Sequence, residues 1–208
     1  PEAGIRDSVA SRGLGDVYKR QILCSIGFCL LLFTNVETIL LSFLAIAVIV
    51  IYPFMKRYTN LPQIILGIAF SWGILMAFTA TFKDIPPIAL LLFIANVLWT
   101  VAYDTQYAMV DREYDLQAGV KSTAILFGNA DRIIIAILQI SFILTLALVA
   151  IHLQFGAFFY ASICIASLFL IYQQYLIKDR LPDLCFKAFL NNSWVGAIIF
   201  LGTVANYF

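Results

Sequence analysis

Seven long apolar stretches in a chain of 208 residues leave few folds open. They run from Ile22 to Phe33, Thr38 to Phe54, Leu61 to Phe82, Ile85 to Ala102, Ile133 to Leu153, Phe155 to Ile177 and Phe189 to Phe208. Most approach the roughly 17 to 25 residues that a helix needs to cross a bilayer. They are continuous rather than alternating. In hydrocarbon each backbone N–H and C=O has to be satisfied within its own segment, so continuous apolar runs fold as helices and not as barrel strands. The expected fold class is therefore all-α: a polytopic transmembrane helix bundle of about seven spans in a lipid bilayer. Composition agrees, because 62% hydrophobic and 12% charged residues leave too little polar material to cover a soluble domain. The first two runs are short and divided by Asn35 and Glu37, as in a tight helical hairpin. Lys83 and Asp84 mark the turn between the third and fourth, and Pro86 and Pro87 suit a helix start.

A formal charge of +1 with no basic stripe argues against a nucleic-acid partner, and any anionic ligand has to be held locally. No protein partner is implied. Cys24, Cys29, Cys164 and Cys185 show no C-x-x-C pairing and read as small buried hydrophobes. The lone His152, near the end of an apolar run, reads as an interfacial residue.

Basic residues are distributed unevenly. If the loops alternate sides, one side receives Lys56, Arg57, Arg112, Lys121, Arg132, Lys178, Arg180 and Lys187, and the other only Lys83. The positive-inside rule makes the first side cytoplasmic.

Residues 1–21 differ from the rest, holding four of the thirteen Lys+Arg and three of the twelve Asp+Glu with no apolar centre. They do not form a signal peptide. The string SRGLGDVYKRQ, Ser11 to Gln21, looks like the translation of a transposon adapter used in sequencing libraries. The expectation is a non-native segment over 1–21 and a membrane domain over 22–208, truncated near Ile22. The competing reading is a genuine cytosolic arm.

The most charged run outside that segment is YDTQYAMVDREYDLQAGVKSTAILFG, Tyr103 to Gly128. On one helix, Asp104, Asp111 and Asp115, seven and four residues apart, share a face with Tyr107 between them. Stacked carboxylates repel unless a cation neutralises them, and hard oxygens suit Mg²⁺, which completes its shell with water and substrate phosphate. The alternative is a solvated loop between membrane helices. Lys56 and Arg57 sit at the end of an apolar run, where two cations are either interface anchors or phosphate ligands. Carboxylates for a metal and cations for phosphate on one membrane face are what a lipid diphosphate requires.

These residues resemble a known family. The Tyr103 to Gly128 run is similar to the second aspartate-rich motif of the intramembrane aromatic prenyltransferases of the UbiA type, most like bacterial members that act on 4-hydroxybenzoate in ubiquinone synthesis. IYPFMKRYTNLPQ, Ile51 to Gln63, and CFKAFLNNSWVG, Cys185 to Gly196, also look like that subfamily. The resemblance covers Ile22 to Phe208. It implies a bundle of nine transmembrane helices around a lipid-accessible cavity in a bacterial inner membrane, with two acidic motifs on the cytoplasmic side binding diphosphate through Mg²⁺. Residue by residue, it implies that Asp111 and Asp115 are metal ligands and that Asp104, Tyr103 and Tyr107 support them or hold the aromatic substrate. It also implies that Lys56, Arg57 and Lys121 face the diphosphate. The implied substrates are polyprenyl diphosphate and 4-hydroxybenzoate. The family's first motif, of N-D-x-x-D-x-x-x-D type, has no match here, so the expectation is a C-terminal portion with little activity alone. Two other readings remain: a superfamily member with another acceptor, such as a menaquinone precursor, homogentisate or haem, and a non-catalytic transporter whose carboxylates form an ion path.

Overall fold

The computed structural model describes the backbone of residues 2–208 and the side chains of residues 17–208. Much of the adapter-like stretch therefore lies outside the described side chains. Among the described residues nine α-helices follow in order: α1 Glu2–Leu31, α2 Val36–Tyr58, α3 Pro62–Phe82, α4 Pro87–Val110, α5 Arg112–Ala118, α6 Thr123–Phe127, α7 Asp131–His152, α8 Ala157–Leu176 and α9 Pro182–Ala205. Short 3₁₀ turns at Gly128–Ala130 and Ile177–Asp179 complete them, and the described residues contain no strand. The fold is all-α, as the apolar runs require.

Local chemistry sets the boundaries. Pro62, Pro87 and Pro182 begin α3, α4 and α9, where a missing N–H costs nothing and φ is preset. Asn35 caps α2 by accepting from the Thr38 N–H at 2.9 Å and the Thr38 hydroxyl at 2.8 Å. Its amide also donates to the Thr79 carbonyl at 2.7 Å, fastening the start of α2 to the end of α3.

Among the described residues six segments are long and apolar enough to cross a membrane: α2, α3, α4, the continuous α6 to α7 run, α8 and α9. The seventh expected span, Ile22 to Phe33, is the tail of α1. Its apolar part ends at Leu31, where a turn intervenes. Ten residues of helix rise about 15 Å, roughly half the hydrocarbon thickness. The fourth run is longer than expected, because α4 continues beyond Ala102 to Val110 and carries Tyr103, Asp104 and Tyr107 with it.

The outer surface identifies the solvent as lipid. On α7, Ile133, Ile137, Ile140, Leu144, Leu148 and Ile151 form an exposed stripe at helical spacing. The buried stripe of the same helix contains Asp131 and Gln139 beside Ile135, Phe142, Leu146 and Val149. Apolar outside with polar groups inside is the arrangement of a multi-pass membrane protein.

Helix α4 is the hub, packed against α3, α7 and α9, while α8 closes the bundle against α9 and α7 and α2 lies on α3. Small residues permit the close approaches: Ala95, Ala150, Ala166 and Val195 meet in one core cluster, and Ala102, Ala108, Ala124 and Ala188 in another. A Cβ on Gly67 would stand 3.2 Å from the Val97 carbonyl oxygen, so α3 and α4 cross with almost no gap there.

Amides replace part of the apolar core. Gln106 of α4 donates to Gln173 of α8 at 3.0 Å, Gln139 of α7 donates to the same oxygen at 2.9 Å, and Gln173 donates to Asn191 of α9 at 3.0 Å. Asn192 donates to Gln106 at 2.9 Å and accepts from the Trp99 indole at 2.9 Å. Four helices are thereby tied together by mutually satisfied groups, which hydrocarbon tolerates where it would not tolerate orphaned ones.

Contacts divide the loops between two ends of the bundle. At one end the Lys121 N–H reaches the Lys56 carbonyl, the Thr123 N–H reaches Gln63, and Arg112 and Arg180 meet Asp131. At the other, Asn35 meets Thr79 and Asn206 accepts from the Gly156 N–H. The first end carries the basic residues of the sequence tally, and Lys83 lies at the second.

Candidate functional site

The polar end is built where α4 stops. Asp111 closes α4 and opens α5 in the bridge region, with φ −91° and ψ 4°, so the helix is interrupted there. The expectation that Asp104, Asp111 and Asp115 share one helix face is corrected by this break. Asp104 belongs to α4, whereas Asp111 and Asp115 share the first turn of α5, where the Asp115 N–H reaches the Asp111 carbonyl at 2.8 Å. Two carboxylates four residues apart on that turn are neighbours. Both are half-buried.

Gly119, at φ 65°, ends α5 in the left-handed region and turns the chain back toward α2. Lys121 then makes two contacts with the end of α2. Its N–H donates to the Lys56 carbonyl at 3.1 Å and its Nζ to the Tyr58 carbonyl at 3.4 Å. Two orphan carbonyls of α2 are satisfied in this way, so Lys121 holds the loop in place as well as lying near the site. Ser122 caps α6, and the buried Thr123 accepts or donates a hydroxyl bond with Thr105 of α4 at 2.7 Å. Gln63, buried at the start of α3, accepts from the Thr123 N–H at 3.1 Å.

Lys56 is the cation common to the carboxylates: Asp104 and Asp115 both lie within its field. Asp104 is half-buried with Gln63 beside it and Tyr52 of α2 close by. Burial pushes the Asp115 carboxyl above the ordinary carboxylate range; Lys56 pulls it back, and Asp111 pushes it further up. The pair is thus uncomfortable as two anions. Lys56 and Arg57 are both exposed, and neither side chain makes a hydrogen bond or ion pair among the described residues; it is the Lys56 carbonyl, accepting from the Lys121 N–H, that joins the end of α2 to the loop after the acidic turn.

Among the described residues no three His, Cys, Asp or Glu side chains gather as a metal cage. Asp111 and Asp115 nevertheless fit a hard divalent cation of the Mg²⁺ kind. They are two adjacent carboxylates whose mutual repulsion a cation relieves, and Mg²⁺ commonly takes one or two carboxylates and fills its remaining positions with water and phosphate.

On α4, Trp99, Tyr103 and Tyr107 recur every fourth residue and face α9. The Tyr107 ring lies 5.1 Å from Phe189, that of Tyr103 6.0 Å from Phe189, and that of Trp99 5.6 Å from Tyr103. Between the two helices a cavity of about 300 Å³ is lined by Trp99, Tyr103, Phe189, Leu190, Asn192 and Ser193. Tyr103 is half-buried and Tyr107 exposed. Aromatic walls with one amide and one hydroxyl suit a flat ring bearing polar substituents. Asp104, next to Tyr103 in sequence, faces the α2 and α3 side instead.

Two groups of residues escape a reading of the sequence. One is the ion cluster of Asp131, fully buried, with Arg112 and Arg180; Arg180 donates to it from Nε at 3.0 and 3.1 Å and from Nη2 at 2.9 Å. The other is the amide network of Gln106, Gln139, Gln173 and Asn192. Gln139, Gln173 and Asn192 stand inside apolar runs, which was the available signal, but partners 18 to 86 residues apart are invisible without the fold.

The UbiA prenyltransferase family description matches residues 21–201. A 4-hydroxybenzoate octaprenyltransferase of Pseudomonas aeruginosa (strain UCBPP-PA14) is 55% identical over 186 residues, covering 89% of this chain and 63% of the relative. A protein of the same name from Hahella chejuensis is 54% identical, covering 89% and 62%. The chain thus spans a little under two thirds of the length of these curated relatives. Among solved structures, the apo structure of a UbiA homolog from Aeropyrum pernix K1 superposes with a TM-score of 0.75 at 23% identity, over 88% of this chain and 69% of that one. A structure described as digeranylgeranylglyceryl phosphate synthase gives 0.69 at 21% identity, over 89% and 67%. Both likenesses are of fold.

Proposed function

Because this chain belongs to the UbiA prenyltransferase family, we propose that it serves in transferring a polyprenyl group from polyprenyl diphosphate to the ring of 4-hydroxybenzoate, in ubiquinone synthesis. The names of relatives above 50% identity support this choice of acceptor. The observation that carries the reading is the placement of Asp111 and Asp115 on one turn at the end of α4, with the loop after them held to the Lys56 carbonyl by the Lys121 N–H at 3.1 Å; the last turns of α4 also wall the aromatic cavity with α9. The polar end faces the cytoplasm of a bacterial inner membrane, by the excess of basic residues there.

Asp111 and Asp115 hold Mg²⁺, which when bound supplies positive charge to the diphosphate. Lys56 adds a second positive charge at the same place and steadies the departing diphosphate as negative charge grows on it. Lys121 lies beside it, and Arg57, exposed one residue further, supplies longer-range attraction for an anionic headgroup. Tyr103 and Tyr107 orient the acceptor ring against Phe189, and the apolar cavity wall excludes water that would otherwise trap the allylic cation. As the C–O bond to diphosphate breaks, the ring carbon next to the hydroxyl bonds to the allylic carbon, and the proton on that ring carbon then passes to the departed diphosphate, which restores the aromatic ring. Asp104 follows Tyr103 in α4 and serves as a supporting carboxylate on the side facing α2 and α3.

A chimera tests this. The chain replaces the 186 matching residues of the Pseudomonas relative, and the product is assayed in vesicles with polyprenyl diphosphate, Mg²⁺ and competing aromatic acceptors. Prenylated 4-hydroxybenzoate is the expected product. Transfer only to another acceptor would discard the substrate assignment, and Mg²⁺-independent turnover would discard the metal.

A further inference from the structure

At the polar end, on the side of the bundle away from the aromatic cavity, α7 and α8 enclose two adjoining hollows. The first, about 280 Å³, is lined by Asn129, Arg132, Ile133, Ala136, Gln174 and Arg180. The second, about 270 Å³, continues along the membrane-facing groove past Ile140, Ile143, Leu144 and Ile171. Ala136 and Gln174 belong to both, so the polar hollow opens directly into the apolar one. Neither contains a residue of the proposed transferase site.

The polar hollow has unmet positive charge. Asp131 is the carboxylate that Arg112 and Arg180 share, and Arg132 beside it uses its backbone N–H, not its side chain, on the same carboxylate. Two guanidiniums therefore share one carboxylate, and the guanidinium of Arg132 has no carboxylate partner among the described residues. Arg132 is also incompletely satisfied: Nη1 donates to the Lys178 carbonyl at 3.3 Å, but Nε is buried without a partner. A buried donor without an acceptor costs free energy unless a ligand supplies one. Lys178, whose carbonyl accepts from Arg132, has its own cation engaged over the Tyr175 ring at 4.4 Å and with Asp179 at 3.8 Å.

We propose that this α7/α8 cleft binds an anionic phospholipid, its phosphate against Arg132 and Arg180 and one acyl chain in the groove along Ile140, Leu144 and Ile171. The chemistry of each end selects the ligand. Guanidiniums supply forked donors for phosphate oxygens, and the orphan Nε of Arg132 gains its acceptor. A zwitterionic lipid brings a cation into a cluster that is already positive, so it is disfavoured. A free phosphate leaves the apolar half empty. Basic recesses between transmembrane helices at the cytoplasmic side are suited to such headgroups.

The test is equilibrium binding of pyrene-labelled phosphatidylglycerol to the 208-residue chain in neutral detergent, with phosphatidylcholine and inorganic phosphate as competitors. Phosphatidylglycerol should be retained over phosphatidylcholine. Arg132→Gln, which keeps the backbone bond to Asp131, should weaken it about fivefold or more, in line with the contribution of one basic side chain near a lipid surface. Arg132→Lys should keep part of the binding, which separates loss of charge from loss of fold. Ala136→Phe, blocking the junction of the two hollows, should weaken phosphatidylglycerol while leaving the melting temperature near that of the parent. Equal retention of both lipids would mean ordinary annular contact and overturn the proposal. Displacement of the labelled lipid by millimolar inorganic phosphate would overturn the acyl half, and indifference to both Arg132→Gln and Ala136→Phe would overturn the whole.

Discussion

Arg112, placed in the sequence between the paired carboxylates Asp111 and Asp115, forms its ion pair with neither of them but with Asp131 at the start of α7. The acidic turn is thereby pinned to a different helix. Arg180, from the loop before α9, completes the joint and also donates to the Asn129 carbonyl at 2.9 Å. A single buried carboxylate sets where α5, α7 and the α8 to α9 loop meet.

Removing that carboxylate should be costly. Asp131→Ala leaves two guanidiniums without their anion, and breaking a buried ionic group typically costs about 3–5 kcal/mol. Because the two arginine side chains are 23% and 33% exposed, water recovers part of the loss, and about 2–3 kcal/mol is expected. Thermal unfolding in detergent measures it. A variant as stable as the parent would show that the joint does not hold the end of the bundle.

Asp115→Asn in the chimera should reduce Mg²⁺-dependent diphosphate binding at least about tenfold, since one of two hard anionic ligands is lost. Arg57→Gln should have a smaller effect than Lys56→Gln, because the charge of Lys56 acts on the Asp115 carboxyl. Calorimetric titration with Mg²⁺ and an unreactive prenyl diphosphate analogue gives both comparisons. The reverse ranking of the two basic residues would move the diphosphate to the outer face of α2.

The raised Asp115 carboxyl sets the direction of a pH effect. An acid whose folded pKa lies above its unfolded value favours the protonated fold, so without a cation this group destabilises the protein as pH rises through the carboxylate range. A cation requires the charged form. Metal affinity should therefore fall as pH drops, beginning above the range of an exposed aspartate, and Asp115→Asn should remove that part of the profile. A metal affinity flat from pH 7 to about 4, the unperturbed aspartate range, would contradict it.

Gln173→Leu strands the Gln106 and Gln139 amides and the Asn191 oxygen at once. A buried group left unsatisfied costs about 1–3 kcal/mol, though hydrogen bonds between membrane helices often measure less. A loss of about 1–2 kcal/mol is expected, read from unfolding in detergent. Gly67→Leu should cost a similar amount for a steric reason, since its Cβ meets the Val97 carbonyl at 3.2 Å.

Long apolar runs, with Pro86 and Pro87 at a helix start, made the helical membrane architecture readable from the residues, because backbone satisfaction in lipid is a local requirement that each segment meets alone. The same holds for the uneven basic residues and for the resemblance carried by the Tyr103 to Gly128 run. The number of spans was less legible: the Ile22 to Phe33 run has the composition of a membrane helix without the length. Placement of the site was decided only by tertiary structure. The break at Asp111 separates Asp104 from the other carboxylates, and the Lys121 N–H fastens the loop after them to the Lys56 carbonyl at the end of α2. Arg112 and Arg180 converge on Asp131 from positions 19 and 49 residues away. Such pairings depend on helix crossings between distant segments, and hydrophobic periodicity, which reports only the environment of each helix face, carries no information about which partner that face will meet.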